Sequence, residues 1–255
     1  MIPTLYLTIP CYNEELVINE TARRLREKIH TMTKKNTISQ DSKIVFIDDG
    51  SNDSTWDLIE KLHEEDSLFC GIALSRNEGH QNALLAGLMS VRGEADIVIS
   101  LDADLQDDIE VLDDFVKAYQ EGNDIVYGVR SDRESDRFFK RNTALMFYKM
   151  MKLLGVDIVY NHADYRLMSS RALEGLSEFH EVNLFLRGIV PLVGYKSATV
   201  TYQRKERFAG ESKYPLRKML KLAMDGITSF SLKPISLISA VGGIMLSHQI
   251  IKDKK

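Results

Sequence analysis

The chain opens with short apolar runs separated by amphipathic stretches. Leu5-Tyr6-Leu7-Thr8-Ile9 is a β-rich run that stops at Pro10. From about Glu15 to His30, apolar residues Leu16, Ile18, Ala22, Leu25 and Ile29 recur near helical spacing. Ile44-Val45-Phe46-Ile47 is a second strand, and Asp53 or Ser54 can cap a helix running to about Glu65. Cys70 to Leu74 reads as a third strand, His80 to Val91 as a helix, and Ile97-Val98-Ile99 as a fourth strand. A helix over 109–121 and a fifth strand, Ile125-Val126-Tyr127, complete the series. Continuous apolar strands alternating with helices predict a parallel sheet buried on both faces. The expected architecture is an open α/β sandwich with ligands beyond the carboxyl ends of its strands.

After residue 130 the alternation stops. Arg137 to Leu154 suits an amphipathic helix, and Val200 to Tyr202 another strand. Residues 203–214 read as a polar loop, and 215–230 as a basic helix. Pro234 to Ile251 is almost wholly apolar, at the lower limit of about 17 residues for a spanning helix. The same segment also suits a helix lying in a membrane interface.

Composition changes the picture little; charge changes it more. The 255 residues are 44% apolar and 27% charged, which excludes disordered, collagen-like and disulfide-rich classes. Cys11 and Cys70 lack CxxC spacing, as expected of a reducing compartment, and Met1-Ile2-Pro3-Thr4 has no basic n-region before an apolar run, so a signal peptide is not expected. The net charge of −4 hides an asymmetry: residues 1–202 carry −11, residues 203–221 carry +5 and residues 222–255 carry +2. A basic tail calls for an anionic partner. It lacks interleaved aromatics and follows an acidic body, so nucleic acid is not expected.

Each strand end carries a polar cluster: Pro10 to Glu14, Asp48 to Ser51, Ser75 to His80, Asp102 to Gln106, and Gly128 to Arg130. Asp102-Ala103-Asp104 is the sharpest of them. Two carboxylates one residue apart on a tight loop can reach one Mg²⁺ or Mn²⁺ ion, which completes its shell with phosphates and water. Asp107 and Asp108 are expected in the first turn of the next helix, where they suit its dipole. Asp48 and Asp49 can accept hydrogen bonds from a ribose or base, or serve an Asx turn. Arg130, Arg141, Arg166, Arg207 and Lys213 are candidates for anion contacts. No Ser-His-Asp pattern stands out; His80 and His162 can be ligands or bases, but isolated histidines are more often structural.

The motifs PCYNE (10–14), IDDGSNDST (47–55), RNEGHQNALLAGL (76–88), LDADLQDD (101–108), GVR (128–130), ADYRLMSSRAL (163–173) and RFAGESKY (207–214) occur in this order. Together they resemble the family 2 glycosyltransferases of GT-A fold. Within that family the chain is similar to the polyprenyl-phosphate glycosyltransferases, the group of dolichol-phosphate mannosyltransferase and the bacterial bactoprenol glucosyltransferases. The resemblance spans about residues 4–234.

It implies an inverting transfer of a hexose from a nucleotide sugar, UDP-glucose first, to polyprenyl (undecaprenyl) phosphate at the cytoplasmic face of the cell membrane, for cell-envelope glycosylation. It implies Mg²⁺ or Mn²⁺ on Asp102 and Asp104. Pro10, Tyr12, Glu14, Asp48 and Asp49 fall where the family holds the nucleoside. Ala103 and Gln106 lie in the diphosphate loop, and Arg130 and Arg141 face sugar and acceptor phosphate, with Arg166 a further anion contact. Asp164 takes the place of a carboxylate proposed as catalytic base, here a positioning residue or weak base, and Asp104 and Arg141 join it at the reacting centre. Arg207 and Lys213 match the basic pair that meets the diphosphates.

The resulting division is a GT-A domain over 1–214, a basic interfacial helix over 215–233 and a membrane-associated segment over 234–255. Arg217, Lys218 and Lys221 face an anionic membrane surface. Transfer of N-acetylglucosamine or mannose, a polysaccharide acceptor, and a non-catalytic nucleotide-sugar-binding subunit are the alternatives. A homo-oligomer stays open. Two features depart from the family: relatives continue into two membrane helices, and Asn161-His162-Ala163 stands where glycine is more usual.

Overall fold

The computed structural model describes residues 2–131, 162–180, 186–204 and 252. The alternating half of the chain forms β1 (Leu5–Cys11), α1 (Ile18–Lys34), β2 (Lys43–Asp48), α2 (Thr55–Glu65), β3 (Phe69–Ala73), α3 (His80–Ser90) and β4 (Ile97–Ser100). A 3-10 turn, Ile109–Val111, leads into α4 (Leu112–Gln120), followed by β5 (Ile125–Arg130). The later elements are β6 (His162–Ser169), α5 (Ser170–Ser177), α6 (Leu186–Leu192) and β7 (Ser197–Tyr202).

The strands make one seven-stranded sheet in the order β3-β2-β1-β4-β6-β5-β7. The expectation of a wholly parallel sheet is corrected here. β6 runs antiparallel to both β4 and β5, while every other pairing is parallel. Side chains alternate across the pleat. Leu5, Leu7, Ile9, Ile44 and Phe46 pack on Leu25 and Ile29 of α1, Ile59 of α2 and Phe115 of α4. Val45, Ile47 and Val98 pack on Leu84 and Leu88 of α3, Leu173 of α5 and Ile189 of α6. Burial on both faces explains why these strands read as unbroken apolar runs, each large side chain contributing about 1.5–3 kcal/mol.

The topology brings one edge of the sheet together. The carboxyl ends of β1 and β2 lie in register at Cys11 and Asp48, with Ala73 of β3 beside them. Because β6 is reversed, its amino end joins that edge, with Arg166 opposite Ser100. Arg130 and Tyr202 meet there as well, at the ends of β5 and β7.

Lys28 braces this edge from behind. It is 7% exposed, and its Nζ donates to the Glu110 carbonyl (3.0 Å), to Glu110 Oε2 (2.9 Å) and to Asp113 Oδ2 (2.7 Å). Burial opposes its charge, yet the two carboxylates outweigh it and raise its pKa above the usual 10.5. The helix over 137–154, the basic helix over 215–233 and the membrane segment over 234–255 lie outside the described residues. Among the described residues, no helix is long and apolar enough to cross a membrane.

Gly50, in the turn after β2, has φ +65°, and a Cβ there would meet the Arg76 carbonyl carbon at 2.5 Å and the Asn77 nitrogen at 2.7 Å. Gly93 also has positive φ (+85°), but a Cβ would meet nothing within 4 Å. Gly93→Ala is therefore expected to cost about 1 kcal/mol, from the left-handed backbone alone. Gly50→Ala should cost about 3 kcal/mol or more, since two backbones must separate. Denaturant unfolding measures both, and equal losses would contradict the close approach at Gly50.

Candidate active site

The loop after β1 is stitched to the loop after β2. The Asn13 N–H donates to Ser51 Oγ (2.9 Å), the Glu14 N–H to Thr55 Oγ1 (2.8 Å), and the Asn52 N–H to Asn13 Oδ1 (2.8 Å). Asp53 accepts from the Thr55 hydroxyl and N–H and from the Glu15 N–H, which fixes the start of α2. These bonds set Tyr12 and Glu14, both half-buried, beside the end of β2. Pro10 is buried within β1.

Asp48 and Asp49 are both buried and have different work. Asp49 accepts from the Glu78 N–H (2.7 Å) and the Gly79 N–H (3.0 Å), fastening the loop before α3. Burial raises its pKa despite those two bonds. Asp48 accepts from the Ser51 N–H through Oδ2 (3.2 Å), while its buried Oδ1 has no hydrogen-bond partner. A cleft of about 490 Å³ opens beside it, bordered by Ser51, Asn52, Trp56, Ser75 and Arg76.

Beyond β4, the loop bearing Asp102, Ala103 and Asp104 turns sharply at Leu105, a non-glycine residue with φ +59°. Thr21 Oγ1 of α1 donates to the Ala103 carbonyl (2.8 Å). The Gln106 N–H donates to Asp104 Oδ1 (3.1 Å). Ala103 and Asp104 are buried, and Asp102 and Gln106 half-buried. Asp108 accepts from the Glu110 N–H (3.3 Å) and so caps the 3-10 turn. The placement of Asp107 in a helical first turn is corrected. It is 4% exposed, accepts from the Tyr202 hydroxyl (2.7 Å) and the Asp102 N–H (3.3 Å), and stands under the loop.

Asp164, 9% exposed, is the centre of a second cluster. Arg166 Nη2 donates to its Oδ1 (2.9 Å), and Arg187 of α6 straddles it with Nε to Oδ1 (3.2 Å) and Nη2 to Oδ2 (3.1 Å). Gln81 Nε2 donates to Oδ2 (3.4 Å), and His80 Nε2 lies 3.5 Å from Oδ2 and 3.7 Å from Asp102 Oδ1. Burial alone would raise the Asp164 pKa, but Arg187, His80 and Arg166 hold it well below the usual carboxylate range. His80 is pulled the other way. Burial disfavours its charge, and the bond to Asp164 with the charge of Asp102 raises its pKa above the usual 6.5.

Asp102 and Asp107 are shifted the opposite way from Asp164. Burial raises the Asp102 pKa; His80 opposes this, and the Asp104 and Asp164 charges add to it. Asp107 is pushed up to about 6, chiefly by burial and the Asp102 charge. Among the described residues, no group of three or more His, Cys, Asp or Glu side chains is arranged to hold a metal. Asp102 and Asp104 are two hard carboxylates on one tight loop. That set fits Mg²⁺ or Mn²⁺, which use one or two carboxylates with phosphate oxygens and water.

Of the residues singled out in the sequence, the strand-end groups Pro10, Tyr12, Glu14, Asp48, Asp49, Asp102, Asp104, Gln106, Arg130 and Asp164 gather at one sheet edge. Arg166 is 1% exposed and paired with Asp164, so it faces no ligand directly. Arg141, Arg207 and Lys213 lie outside the described residues. The residues not assigned to the site from the sequence are Gln81, Asp107, Arg187, Tyr202 and Arg204, while His80 belongs to a strand-end cluster as a candidate ligand or base. Gln81 could have been found from its place just past β3; Arg187 follows no motif.

The glycosyl transferase family 2 model matches residues 6–177. The chain is 53% identical over 243 residues to the uncharacterized glycosyltransferase YkoT of Bacillus subtilis (strain 168), covering 95% of this chain and 72% of that protein. It is 40% identical over 237 residues to the bactoprenol glucosyl transferase of Shigella phage SfV (92% and 75%). A prophage bactoprenol glucosyl transferase homolog of Escherichia coli (strain K12) is 39% identical over 246 residues (96% and 78%). Among solved structures, glucosyl-3-phosphoglycerate synthase of Mycobacterium tuberculosis with Mn²⁺, UDP and phosphoglyceric acid superposes with TM-score 0.58 at 17% identity, over 89% of this chain and 77% of that one. The likeness establishes a shared GT-A-like fold.

The depressed pKa of Asp164 has a sign that can be checked. Its contribution to stability is complete above the unfolded carboxyl value of about 3.9 and disappears as pH falls through the lower folded value. Asp164→Asn leaves Arg166 buried without a counter-charge, at an expected cost of about 3–5 kcal/mol near neutrality. The stability gap between wild type and variant should narrow progressively below about pH 4. A gap unchanged from neutrality into acid would contradict the ionised assignment.

Proposed function

Because the chain belongs to glycosyl transferase family 2, we propose that it moves glucose from UDP-glucose to a polyprenyl phosphate, with inversion, at the cytoplasmic face of the cell membrane. The observation that carries this reading is the likeness, across 92% of the chain, to a protein named bactoprenol glucosyl transferase. The sheet edge supports it with a carboxylate pair suited to a nucleotide diphosphate and a half-polar cleft suited to a base.

The nucleoside lies along Pro10, Tyr12 and Glu14, with its base in the cleft beside Asp48. Asp48, which lines that cleft, is assigned to accept an imide N–H of uracil there. Asp49, committed to the Glu78 and Gly79 N–H groups, shapes that cleft. Asp102 and Asp104 would hold the divalent ion, which supplies charge stabilisation at the departing diphosphate. Gln106 and Arg130 border the diphosphate and sugar, and Arg207, Lys213 and Arg141 are assigned by resemblance to diphosphate and acceptor phosphate.

The acceptor is a phosphate monoester with a second pKa of about 6, so it arrives largely as a dianion. Its oxygen forms the new bond to the anomeric carbon as the bond to the diphosphate breaks on the opposite side. No proton has to leave the nucleophile. Asp164 is suited to that chemistry as a positioning residue, because arginines already hold its oxygens and keep it ionised. The basic 203–221 segment supports an anionic lipid acceptor over a neutral saccharide.

The full chain incubated with Mn²⁺, undecaprenyl phosphate and a panel of nucleotide sugars should yield a lipid-phosphate hexose with UDP-glucose, read by mass spectrometry. Asp104→Asn should lower the rate by about 100-fold or more, as loss of several kcal/mol of charge stabilisation requires. Turnover with a saccharide acceptor alone would overturn the lipid assignment, and full activity of the variant would overturn the ion site.

A further inference from the structure

The Asp102–Gln106 loop holds an unfavourable backbone conformation. Leu105 has φ +59°, in the region that L side chains avoid, and such a residue persists only where its surroundings fix it. The loop's internal support includes the bond from the Gln106 N–H to Asp104 Oδ1. External support reaches it from α1 through Thr21 and from the end of β7.

The β7 support is a directed chain of hydrogen bonds. Arg130 Nε donates to the Tyr202 hydroxyl (3.2 Å), and an arginine can only donate. The phenol proton is therefore committed to Asp107 Oδ1 (2.7 Å). The other Asp107 oxygen accepts the Asp102 N–H (3.3 Å). Two residues further on, the Arg204 guanidinium donates to Gln106 Oε1. Tyr202 can aim its hydroxyl because its own position is tightly set. Its carbonyl accepts from the Ser131 N–H (2.8 Å) and hydroxyl (3.0 Å), and its ring stands edge-on to Tyr165 at 5.2 Å. Tyr202 is 3% exposed and Asp107 4%.

We propose that Asp107 and Tyr202 are positioning residues that hold the Asp102–Gln106 loop in the shape that binds the ion and the donor diphosphate, with Arg204 steadying Gln106 from the same side. Neither Asp107 nor Tyr202 needs to touch a ligand. They act through the Asp102 backbone, as partners behind metal-binding residues commonly do. This inference rests on the glycosyl-transfer reading for the identity of the ligands.

Tyr202→Phe tests it, because the ring and its packing remain and one hydroxyl is lost. Calorimetric titration of the full chain with UDP in the presence of Mn²⁺ should give roughly tenfold weaker binding at unchanged stoichiometry. The KM for the nucleotide sugar should rise while that for the lipid phosphate stays constant. Asp107→Ala should weaken Mn²⁺-UDP binding comparably, and Asp107→Asn, which keeps an acceptor for the Asp102 N–H, should fall nearer to wild type. Should Tyr202→Phe fail to fold, the two Asp107 variants carry the same comparison. Wild-type affinity in Tyr202→Phe and Asp107→Ala would overturn the positioning role and leave the transferase reading standing. Absence of Mn²⁺-UDP binding by the wild type would overturn both.

Discussion

Negative charge gathered at one edge of the sheet has to be balanced largely without water, and the site is organised around that balance. Asp102, Asp104, Asp107 and Asp164 converge where β4 and β7 end and β6 begins. Asp164 is neutralised by protein, between the buried Arg166 and the straddling Arg187. Asp107 is satisfied by a phenol and a backbone N–H, which stabilise its charge only in part, and its pKa climbs to about 6. Asp102 has His80, 3.7 Å away, and Arg130 as counter-charges, yet burial with its carboxylate neighbours still raises its proton affinity. The gradient runs from the anchored Asp164 to Asp107 and Asp102, whose proton affinity burial raises, and a divalent cation suits that end.

That gradient depends on the reversed strand. A parallel strand in the place of β6 would carry the start of His162–Ser169 to the opposite edge of the sheet. The reversal sets Asp164 beside Ser100, whose hydroxyl donates to the Asp164 carbonyl. It also brings α6 over the start of α3, where the Leu186 N–H donates to Gln81 Oε1. The two halves of the site, one from the alternating half of the chain and one from β6 and α6, meet through Asp164.

The same reversal marks where the sequence stopped being legible. β1, β2, β4 and β5 are recoverable because strands buried on both faces must be largely apolar, and Leu5, Phe46 and Ile99 obey that rule. β6 breaks it with Asp164 and Arg166, two charges at strand spacing that a hydrophobic pattern assigns to a surface turn. The pairing of Asp164 with Arg166 and with Arg187 makes burial tolerable, and a pairing is invisible to single-residue patterning. α6 hides for a similar reason, having seven residues with Pro191 among them. The site divides along the same line. Strand-end motifs pointed to Asp48, Asp102 and Asp104, whereas Arg187 and Tyr202 reach the site by topology alone.

Asp164 joins the electrostatics to the reaction. A carboxylate that must take a proton needs accessible lone pairs and a pKa near the working pH. Asp164 has neither, since two arginines hold its oxygens and keep it ionised. For a neutral hydroxyl acceptor that arrangement would leave the nucleophile without a base from this residue. For a phosphate dianion it removes nothing the chemistry needs. It also lets the guanidinium charges of Arg166 and Arg187 exceed the single charge of Asp164, so the cluster carries net positive charge beside the carboxylate pair. The anionic nucleophile proposed for this site would approach an acidic loop, and this cluster sets positive charge beside that loop.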